Sequence, residues 1–579
     1  MTTMRGVGIP HLGKTTQDSL TRALFMATER LGERGVLGFV VNSGFLFSKS
    51  AAGVRRELYK DYNHFYILDL RGDLRGQRTK HKDNEGENIF NVQVGIAIVF
   101  GIKIPNCNTH AIYYCNIGDD LKRKDKLKFL NDKKSLRKIL FNKNPQEISF
   151  GEFREIIPSK EHDWFNQRQE GDACGGGNYR DFISLKPVKG EMSVFIADTK
   201  GIVSNRDDYV INPSSQTLEN TLKNAHRIYH ENLANFDLKS FKAKLPPKTK
   251  PADAYRFLDT EIDTDGAIGW TDDLKKKFCK KQKLASIDLK HIRTITYRSF
   301  AKWRCYFNPE WVARPGKFTT LLPTEKSENV FLCVNGGALK LNALTTKNIM
   351  DIHFIGDTQA YPLYSDGKKE STISLSALLK FQRHYQDENI TAEDIFYFVY
   401  AILHHVGFKE IYRNFLAKES LRVPLARDFK KMSALGKELA QLHLNYESLE
   451  PSQELRIIYK GDLANAPDEH YRVSKMQLEK DTNRLIYNEY LSIDNIPSKA
   501  WEYTLCGESA IKLYMKAQRV KESKKAKDAN GDLIISDHND FKGGKYIFET
   551  LLRVITLSLK SVDLIKQIGA CDYRQEKNR

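Results

Sequence analysis

The sequence lacks the features of membrane, secreted and zinc-binding proteins. No apolar run approaches the roughly 18 to 20 residues of a membrane helix. The first twenty residues contain no apolar core of signal-peptide length. The eight cysteines form no Cys-x-x-Cys pair, and the two closest, Cys107 and Cys115, do not have metal-ligand spacing. We therefore expect reduced thiols, no metal site and a cytoplasmic location.

Several catalytic motifs are also missing. Gly-x-Ser-x-Gly is absent, and the chain has no strand-linked glycine loop of the kind that binds S-adenosylmethionine. Amino-methyltransferases hold the amino group of a base with Asp or Asn, then Pro-Pro and an aromatic residue. The chain's only Pro-Pro is Pro246-Pro247, flanked by Leu245 and Lys248. The residues alone therefore indicate no catalytic centre.

The composition indicates a folded, basic protein. The 579 residues are 41% hydrophobic and 11% aromatic, which is enough for two to four domains with packed cores. Lys and Arg number 91 against 73 Asp and Glu, giving a formal charge of +18. This excess favours a polyanionic partner, with nucleic acid first. The alternative is a scatter of surface lysines without a partner.

The stretch Gly35–Gly101 reads as strand, helix, strand, strand, and a helix is predicted before it at 17–31. The apolar runs are continuous, as in a sheet covered on both faces. No βα unit with a cofactor loop comes first, since only 34 residues precede this stretch. It resembles the second half of a nucleotide-binding-type sheet, for which we expect an unpaired edge and an uncovered apolar face. The predicted elements are strands 36–41, 65–70 and 92–100, a helix near 51–60 and a polar loop at 71–88.

A rival interpretation rests on Gly8-Ile-Pro-His-Leu-Gly-Lys14-Thr15, which matches the full phosphate-loop pattern. A helix is predicted after it, and Phe65–Asp69 could be the strand that holds magnesium. However, a phosphate loop leaves a buried strand, and the residues Met1–Val7 do not form one. The P-loop NTPase stays open as the alternative.

Beyond residue 119 the chain becomes more basic and mixes short strands with helices. Strands are predicted at 330–334 and 352–355, helices at 391–405 and 428–444, and a basic loop at 519–532.

Basic and aromatic residues interleave over 297–311. If this is one strand, its alternation places Arg298, Phe300, Lys302 and Arg304 on one face, where cations could contact phosphates or read base edges. Two polar clusters have a similar base-reading composition, Asn166-Gln167-Arg168 and Asn205-Arg206-Asp207. The alternatives are a strand with one ordinary basic face and ordinary surface clusters.

Several segments, in order along almost the whole chain, resemble one family. They are Gly35-Val-Leu-Gly-Phe-Val-Val-Asn-Ser-Gly44, Gly53-Val-Arg-Arg-Glu-Leu58, Ile67-Leu-Asp-Leu-Arg-Gly72, Asn88-Ile-Phe-Asn-Val-Gln-Val-Gly-Ile-Ala-Ile98, Ile117-Gly-Asp-Asp-Leu121, Asp163-Trp-Phe-Asn-Gln-Arg168, Gly201-Ile-Val-Ser-Asn-Arg-Asp207, Tyr297-Arg-Ser-Phe300, Ile390-Thr-Ala-Glu-Asp-Ile-Phe-Tyr-Phe-Val-Tyr400, Leu442-His-Leu-Asn-Tyr-Glu447 and Asn495-Ile-Pro497. Together they resemble the C-terminal part of type ISP restriction-modification enzymes.

The resemblance implies an α/β fold, in which a partial Rossmann-like methyltransferase sheet is followed by a mixed α+β DNA specificity domain. Residues 1–115 would be the C-terminal half of an adenine-specific DNA methyltransferase domain. Residues 116–184 would be a helical, basic connector, and 185–579 the target recognition domain. Phe90 would occupy the place of an aromatic residue that stacks on the extruded base, with an ordinary core phenylalanine as the alternative.

The implied partner is double-stranded DNA, bound sequence-specifically, with no membrane involved. The family's cofactor is S-adenosylmethionine, but its loop and the Asn-Pro-Pro-Tyr motif are missing here. We therefore expect no cofactor and no methyl transfer for the isolated chain. A companion chain carrying the missing half would be a second partner. A non-enzymatic nucleic-acid-binding relic is the remaining alternative.

Overall fold

A computed structural model describes residues 19–74, 85–135, 138–139, 141, 151–168, 177–188, 190–260, 262, 266–335, 341–365, 370–479 and 484–575. The phosphate-loop pattern at Gly8–Thr15 lies outside these residues. The chain forms two compact units. Unit 1 comprises Met1–Ala173, Gly337–Lys340 and Tyr412–Glu419, and unit 2 comprises Cys174–Gly336, Leu341–Ile411 and Ser420–Arg579. Within the described parts, no helix is both long and apolar enough to cross a membrane.

Unit 1 is built on a five-stranded sheet. With elements numbered in chain order, its helices are α1 (Ser19–Arg30), α2 (Gly44–Phe47), α3 (Ala52–Asp61), α4 (Arg123–Lys133) and α13 (Arg413–Lys418). Its strands are β1 (Gly35–Asn42), β2 (His64–Arg71), β3 (Ile96–Lys103), β4 (Ala111–Asn116) and β5 (Phe153–Ile156). The strand order is β1-β3-β2-β4-β5, and only the β2–β4 pair is parallel. The structure thus has the strands predicted at 36–41 and 65–70 and the helices predicted at 17–31 and near 51–60.

Two expectations for unit 1 need correction. The strand expected at 92–100 begins only at Ile96, because the Asn88 side chain holds the preceding residues in a turn. Its oxygen accepts the amides of Phe90 and Val92, and its nitrogen donates to the carbonyls of Gly72 and Val94. The expected connector 116–184 includes α4 and also β5, which pairs with β4 in the sheet. The domain boundaries themselves stay predictions.

Within the part of unit 1 that the structure describes, one face of the sheet is uncovered at its β1 end. The other face packs on α1 through a core that includes Leu24, Leu37 and Val41. Val36 and Val40 are 63% and 56% exposed, and they pair in register with Ile102 and Ile98 of β3. Among the described strands β1 pairs with β3 alone, so it forms an edge. The expected open edge and apolar face are therefore present in the described residues.

A buried ionic cluster holds the segment after β5 in place. The Asp163 carboxylate, 1% exposed, lies 3.2 Å from Arg55, 2.9 Å from Lys418 and 3.0 Å from Arg168. Arg55 also donates to the carbonyls of Phe45, Ser48 and His162. Burial lowers the pKa of Arg55 to about 10 and also lowers that of Lys418, while Asp163 favours both cations. One carboxylate thus compensates several buried positive charges.

Replacing Asp163 with Ala should destabilise unit 1 by about 3 to 5 kcal/mol, because removing one member of a buried ion pair leaves the other charge uncompensated. Hydrogen exchange of the β2 and α3 amides measures the effect. As a control, Glu219→Ala removes an exposed ion pair with Lys223 in unit 2 and should cost about 0.5 kcal/mol or less. Unchanged exchange of β2 in the Asp163 variant would contradict the interpretation.

Unit 2 mixes helices with several small sheets. Its helices are α5 (Asp207–Val210), α6 (Ser215–Asn235), α7 (Leu238–Ala243), α8 (Asp272–Cys279), α9 (Phe318–Leu321), α10 (Leu375–Tyr385), α11 (Ala392–His404), α12 (Val406–Ile411), α14 (Phe429–Leu444), α15 (Ala510–Ala517) and α16 (Asn539–Gly569). The first two sheets have the orders β13-β9-β10-β8 and β12-β11-β14-β7. They contain β7 (Thr199–Lys200), β8 (Ile211–Asn212), β9 (Ile292–Arg298), β10 (Ala301–Tyr306), β11 (Phe331–Asn335), β12 (Ala343–Thr346), β13 (Ile349–Met350) and β14 (Thr358–Pro362).

The other sheets of unit 2 are smaller. One has the order β16-β19-β18-β17, and the rest are the pairs β15-β6, β20-β21 and β22-β23. Their strands are β6 (Ile183–Ser184), β15 (Arg422–Val423), β16 (Arg456–Tyr459), β17 (Gln477–Leu478), β18 (Leu485–Ile486), β19 (Leu491–Asp494), β20 (Thr504–Leu505), β21 (Glu508–Ser509), β22 (Lys521–Lys527) and β23 (Leu533–Ser536). The fold class is therefore mixed α and β, as expected.

The core of unit 2 contains the two helices that the sequence predicts best. Helix α11 begins with a capping box in which Thr391 and Asp394 satisfy each other's backbone amides, and ten of its side chains are buried. Helix α14 approaches it closely at Gly436, where an added Cβ would lie 2.0 Å from the Tyr397 carbonyl oxygen. The strand predicted at 330–334 is β11, whereas 352–355 is a turn and not a strand.

Candidate nucleic-acid interface

A cleft of about 680 Å³ opens in unit 2, and four parts of the chain form its walls. They are residues 203–209, residues 266–270 with Lys275, residues 351–353, and Lys525 with Ala526 on β22. Asn205 and Arg206, two of the predicted site residues, line this cleft.

The wall at 203–209 is held by short-range hydrogen bonds. Asn205 has a left-handed backbone (φ 57°) and is exposed. The Ser204 hydroxyl accepts the Arg206 amide at 3.0 Å and donates to the Asp207 carboxylate. The Tyr209 hydroxyl donates to the Gly266 carbonyl at 2.6 Å, which ties this wall to the next one. Asn205 is thereby presented at the cleft on a fixed backbone.

Arg206 is buried in this wall. Its guanidinium lies over the rings of Trp311 and Tyr209, with centroid distances of 4.7 and 5.4 Å, and donates to the Ile268 carbonyl. Burial lowers the pKa of Arg206 to about 9. In this position the side chain supports the cleft, and its expected contact with DNA stays a prediction.

Arg298 belongs to a network that reaches the cleft through Asp351. Its Nη1 donates to the Asp351 carboxylate at 2.7 Å and to the Tyr297 carbonyl at 2.6 Å. The guanidinium lies 3.8 Å from the centroid of the Tyr297 ring, and the Tyr297 hydroxyl donates to Asp207 at 3.0 Å. Burial raises the pKa of Asp351, and Arg298 opposes that rise. The network therefore fixes both the acid and the arginine.

The residues expected as one strand at 297–311 form a hairpin. Strand β9 ends at Arg298, β10 begins at Ala301, and the two pair antiparallel. Phe300, expected beside the arginines, is buried at the turn with φ 61°. Lys302 donates to Glu447, and Arg304 donates to Thr294 at 2.9 Å and lies over the Phe541 ring. The single face predicted from alternation is therefore wrong.

The remaining predicted residues lie in unit 1. Arg168 is held by Asp163 and Glu419, Gln167 donates to the Ile157 carbonyl at 2.6 Å, and the Asn166 carbonyl accepts Lys418. Phe90 is 57% exposed and is not a core residue. Their expected roles in binding DNA stay predictions.

Positive charge collects on the hairpin β22–β23, a segment that the sequence pattern predicts as a loop. Arg519, Lys521, Lys524 and Lys525 are exposed on or beside it. Burial and the charges of Arg298 and Arg519 lower the pKa of Lys521, and Asp208 raises it. Among the described residues, Arg519, Lys521 and Lys525 have no ion pair. Such a group of cations attracts a polyanion.

A second basic segment that reaches the cleft was not identified from the sequence. Residues 275–283 contain six lysines, and Lys275 lines the cleft. The signal in the sequence was this run of positive charge. Asp351 was missed as well, and no pattern in the sequence links it to Arg298. In the described residues, no cluster of acidic, His or Cys side chains is arranged to hold a metal ion.

Replacing Gly266 with Ala should loosen the hairpin from the cleft wall. The Gly266 carbonyl accepts the Lys527 amide at 2.9 Å, and an added Cβ would lie 2.1 Å from the Lys525 carbonyl oxygen. We expect faster hydrogen exchange in β22 and β23. Gly531→Ala is the matched control, because Gly531 also has a positive φ but nothing within 4 Å of its added Cβ. Equal effects of the two variants would mean that backbone strain alone matters.

Comparisons with known proteins place this cleft in context. Residues 193–550 match the model of the type ISP C-terminal specificity domain. A nuclease-deletion mutant of the type ISP restriction-modification enzyme LlaGI, in complex with a DNA substrate mimic, is similar, with a TM-score of 0.80 and 29% identity over 96% of this chain and 41% of that one. The ATP-dependent type ISP restriction-modification enzyme LlaBIII bound to DNA is also similar, with a TM-score of 0.80 and 29% identity over 96% of this chain and 34% of that one. The DrdV–DNA complex has a TM-score of 0.77 and 25% identity over 96% of this chain and 52% of that one.

The chain therefore spans less than half the length of the LlaGI and LlaBIII chains that it resembles. No curated protein sequence matches it. The family model covers well over half of the chain and includes every wall of the cleft. The chain belongs to the family of type ISP C-terminal specificity domains.

Proposed function

We propose that this chain binds duplex DNA sequence-specifically and that the cleft of unit 2 is its interface. The observation that carries the proposal is the set of cations beside the cleft that form no ion pair with any described residue, within the region that matches the specificity domain. Phosphate contacts from Arg519, Lys521 and Lys525 would supply most of the affinity. The polar groups of the cleft, Asn205 and Asp351 among them, would supply contacts to base edges.

The neighbouring structures support this proposal. The LlaGI structure contains a DNA substrate mimic, and the LlaBIII and DrdV structures are DNA complexes. The P-loop NTPase remains a separate candidate that predicts loss of nucleotide binding in Lys14→Ala. The non-enzymatic relic predicts retention of all DNA sequences alike. The first experiment must therefore distinguish specific binding from charge-driven binding.

Selection from a pool of random duplexes at moderate salt, followed by sequencing, makes this distinction. We expect enrichment of a short motif. Replacing both Lys521 and Lys525 with Ala should weaken binding to all duplexes alike. It should also lower the slope of log K against log salt by about 1 for each phosphate that the variant no longer neutralises. Lys430→Ala is the control, since Lys430 is exposed on α14 and does not line the cleft.

Uniform retention of the pool that disappears as salt rises would contradict sequence-specific binding and favour the relic. Equal salt slopes for the double variant and the Lys430 control would place the interface elsewhere on the chain.

We also propose that unit 1 belongs to an adenine-specific DNA methyltransferase whose sheet is completed by a companion polypeptide. The uncovered apolar face around Val36 and Val40 supports this, since such a face is normally buried. S-adenosylmethionine is the cofactor of this system. The described residues of unit 1 do not fit it by themselves, because none of their strands leads through a paired-glycine loop into a helix. No chemical step is therefore assigned to this chain alone.

Phe90 is the residue of unit 1 that we propose to stack on an extruded adenine. Its ring is exposed, and Asn88 fixes its backbone. Adding a polypeptide with the cofactor loop and the Asn-Pro-Pro-Tyr motif, together with labelled S-adenosylmethionine, should give methyl transfer that Phe90→Ala reduces and Phe90→Trp retains. Leu74→Ala, at another exposed apolar residue, is the control. Continued inactivity across many duplexes would contradict the proposal.

A further inference from the structure

Unlike Arg206 and Arg168, Arg298 is both fixed and accessible. Its side chain is 33% exposed, whereas Arg206 is buried and Arg168 is enclosed by carboxylates. We infer that Arg298 reads a guanine in the bound duplex and that Asp351 and Tyr297 are its positioning residues. This inference rests on the proposed function and names one specificity-determining contact within it.

The backbone beneath Arg298 is held on both sides of the hairpin turn. The Ser299 hydroxyl donates to the Phe354 carbonyl at 2.9 Å. The Phe300 carbonyl accepts the Tyr446 hydroxyl at 3.1 Å, and the Phe300 ring is buried. The Cα of Arg298 therefore has little freedom, unlike that of an arginine on an open loop.

The guanidinium itself is oriented by two neighbours. Asp351 and the Tyr297 carbonyl both accept from Nη1, and the Tyr297 ring packs against the guanidinium plane. Asp351 is in turn fixed, because the carboxylate oxygen that accepts Arg298 also accepts the His353 amide at 2.9 Å. Little side-chain entropy is then lost when Arg298 makes a further contact.

The remaining donors match one base. Among the described residues, Nε and Nη2 of Arg298 have no hydrogen-bond partner. These two nitrogens form one edge of the guanidinium, with two parallel N–H donors. In the major groove only guanine presents two acceptors on one edge, O6 and N7, and bidentate arginine is their commonest partner. A lysine, with its single ammonium, does not reproduce this fork.

Arg298 has cationic neighbours that are suited to contact phosphates. Burial lowers the pKa of Lys521, and the nearby charges of Arg298 and Arg519 lower it further. Lys521 and Arg519 are exposed, while the charge of Arg298 is compensated by buried Asp351. We therefore assign phosphate contacts to Lys521 and Arg519 and base readout to Arg298.

The test compares the motifs that the full chain and its variants select from random duplexes. Arg298→Lys keeps the charge and removes the fork, so preference for guanine at one position should fall roughly 5- to 100-fold. Preferences at the other positions and the salt slope should stay unchanged. Asp351→Asn should weaken preference at that same position. Arg227→Lys, an equivalent change at an exposed residue of α6, should leave the motif intact.

Thermal melting of each variant separates readout from folding. A shift in base preference at one position, with an unchanged melting temperature, supports the inference. An intact guanine preference in Arg298→Lys overturns the inference and leaves the proposed function standing. An equal loss of preference at every position, with lower melting temperatures, indicates a structural role and also overturns it. If the parent chain selects no motif, the proposed function fails, and this inference fails with it.

Discussion

The cleft of unit 2 depends on Asp351. Its backbone amide donates to the Thr296 carbonyl in β9, and the Ile352 amide donates to the carbonyl of Ile202, so the wall at 351–353 is anchored to β9 and to the residue that precedes the wall at 203–209. Gly201 makes this approach possible, because an added Cβ would lie 2.6 Å from the Asp351 carbonyl oxygen. The side chain of Asp351 then compensates Arg298. Burial disfavours its charged form and raises its pKa, and the arginine offsets part of that cost. One carboxylate thus links the backbone geometry of the cleft to its electrostatics.

The sequence predicts elements whose signals are local. Strands β1 and β2 have continuous apolar runs, and α11 and α14 have strong helical periodicity, so these elements were predicted within a few residues. The hairpin β9–β10 was not, because the alternation continues through its turn and no Gly, Asn or Pro marks it. Phe300 takes a positive φ there, and its burial beside Tyr446 accompanies this conformation. Tertiary packing of this kind cannot be predicted from the alternation of residues along a single strand.

The candidate site also combines residues that a local sequence signal identifies with partners that only the tertiary structure supplies. A triplet of polar residues selected Asn205 and Arg206, the interleaving of basic and aromatic residues selected Arg298, and the structure brings these near one cleft. The sequence could not distinguish their surroundings, because the deciding partners are remote. Asp351 holds Arg298, Glu447 accepts Lys302, and Trp311 covers Arg206. A basic residue in the sequence is equally compatible with an internal ion pair and with a DNA contact. Only the partners contributed by other segments separate the two.

The cations near the cleft also differ in what they can contribute to recognition. Arg298 is compensated within the protein, so its contact with a base adds little net charge to the interface. Burial lowers the pKa of Lys521, and repulsion from its like-charged neighbours lowers it further in the free protein. A phosphate near Lys521 would offset this repulsion, because an opposite charge favours the charged form of an amine. Affinity and specificity would then arise from different side chains of one surface. Salt would screen the exposed cations more strongly than the pair of Arg298 with buried Asp351.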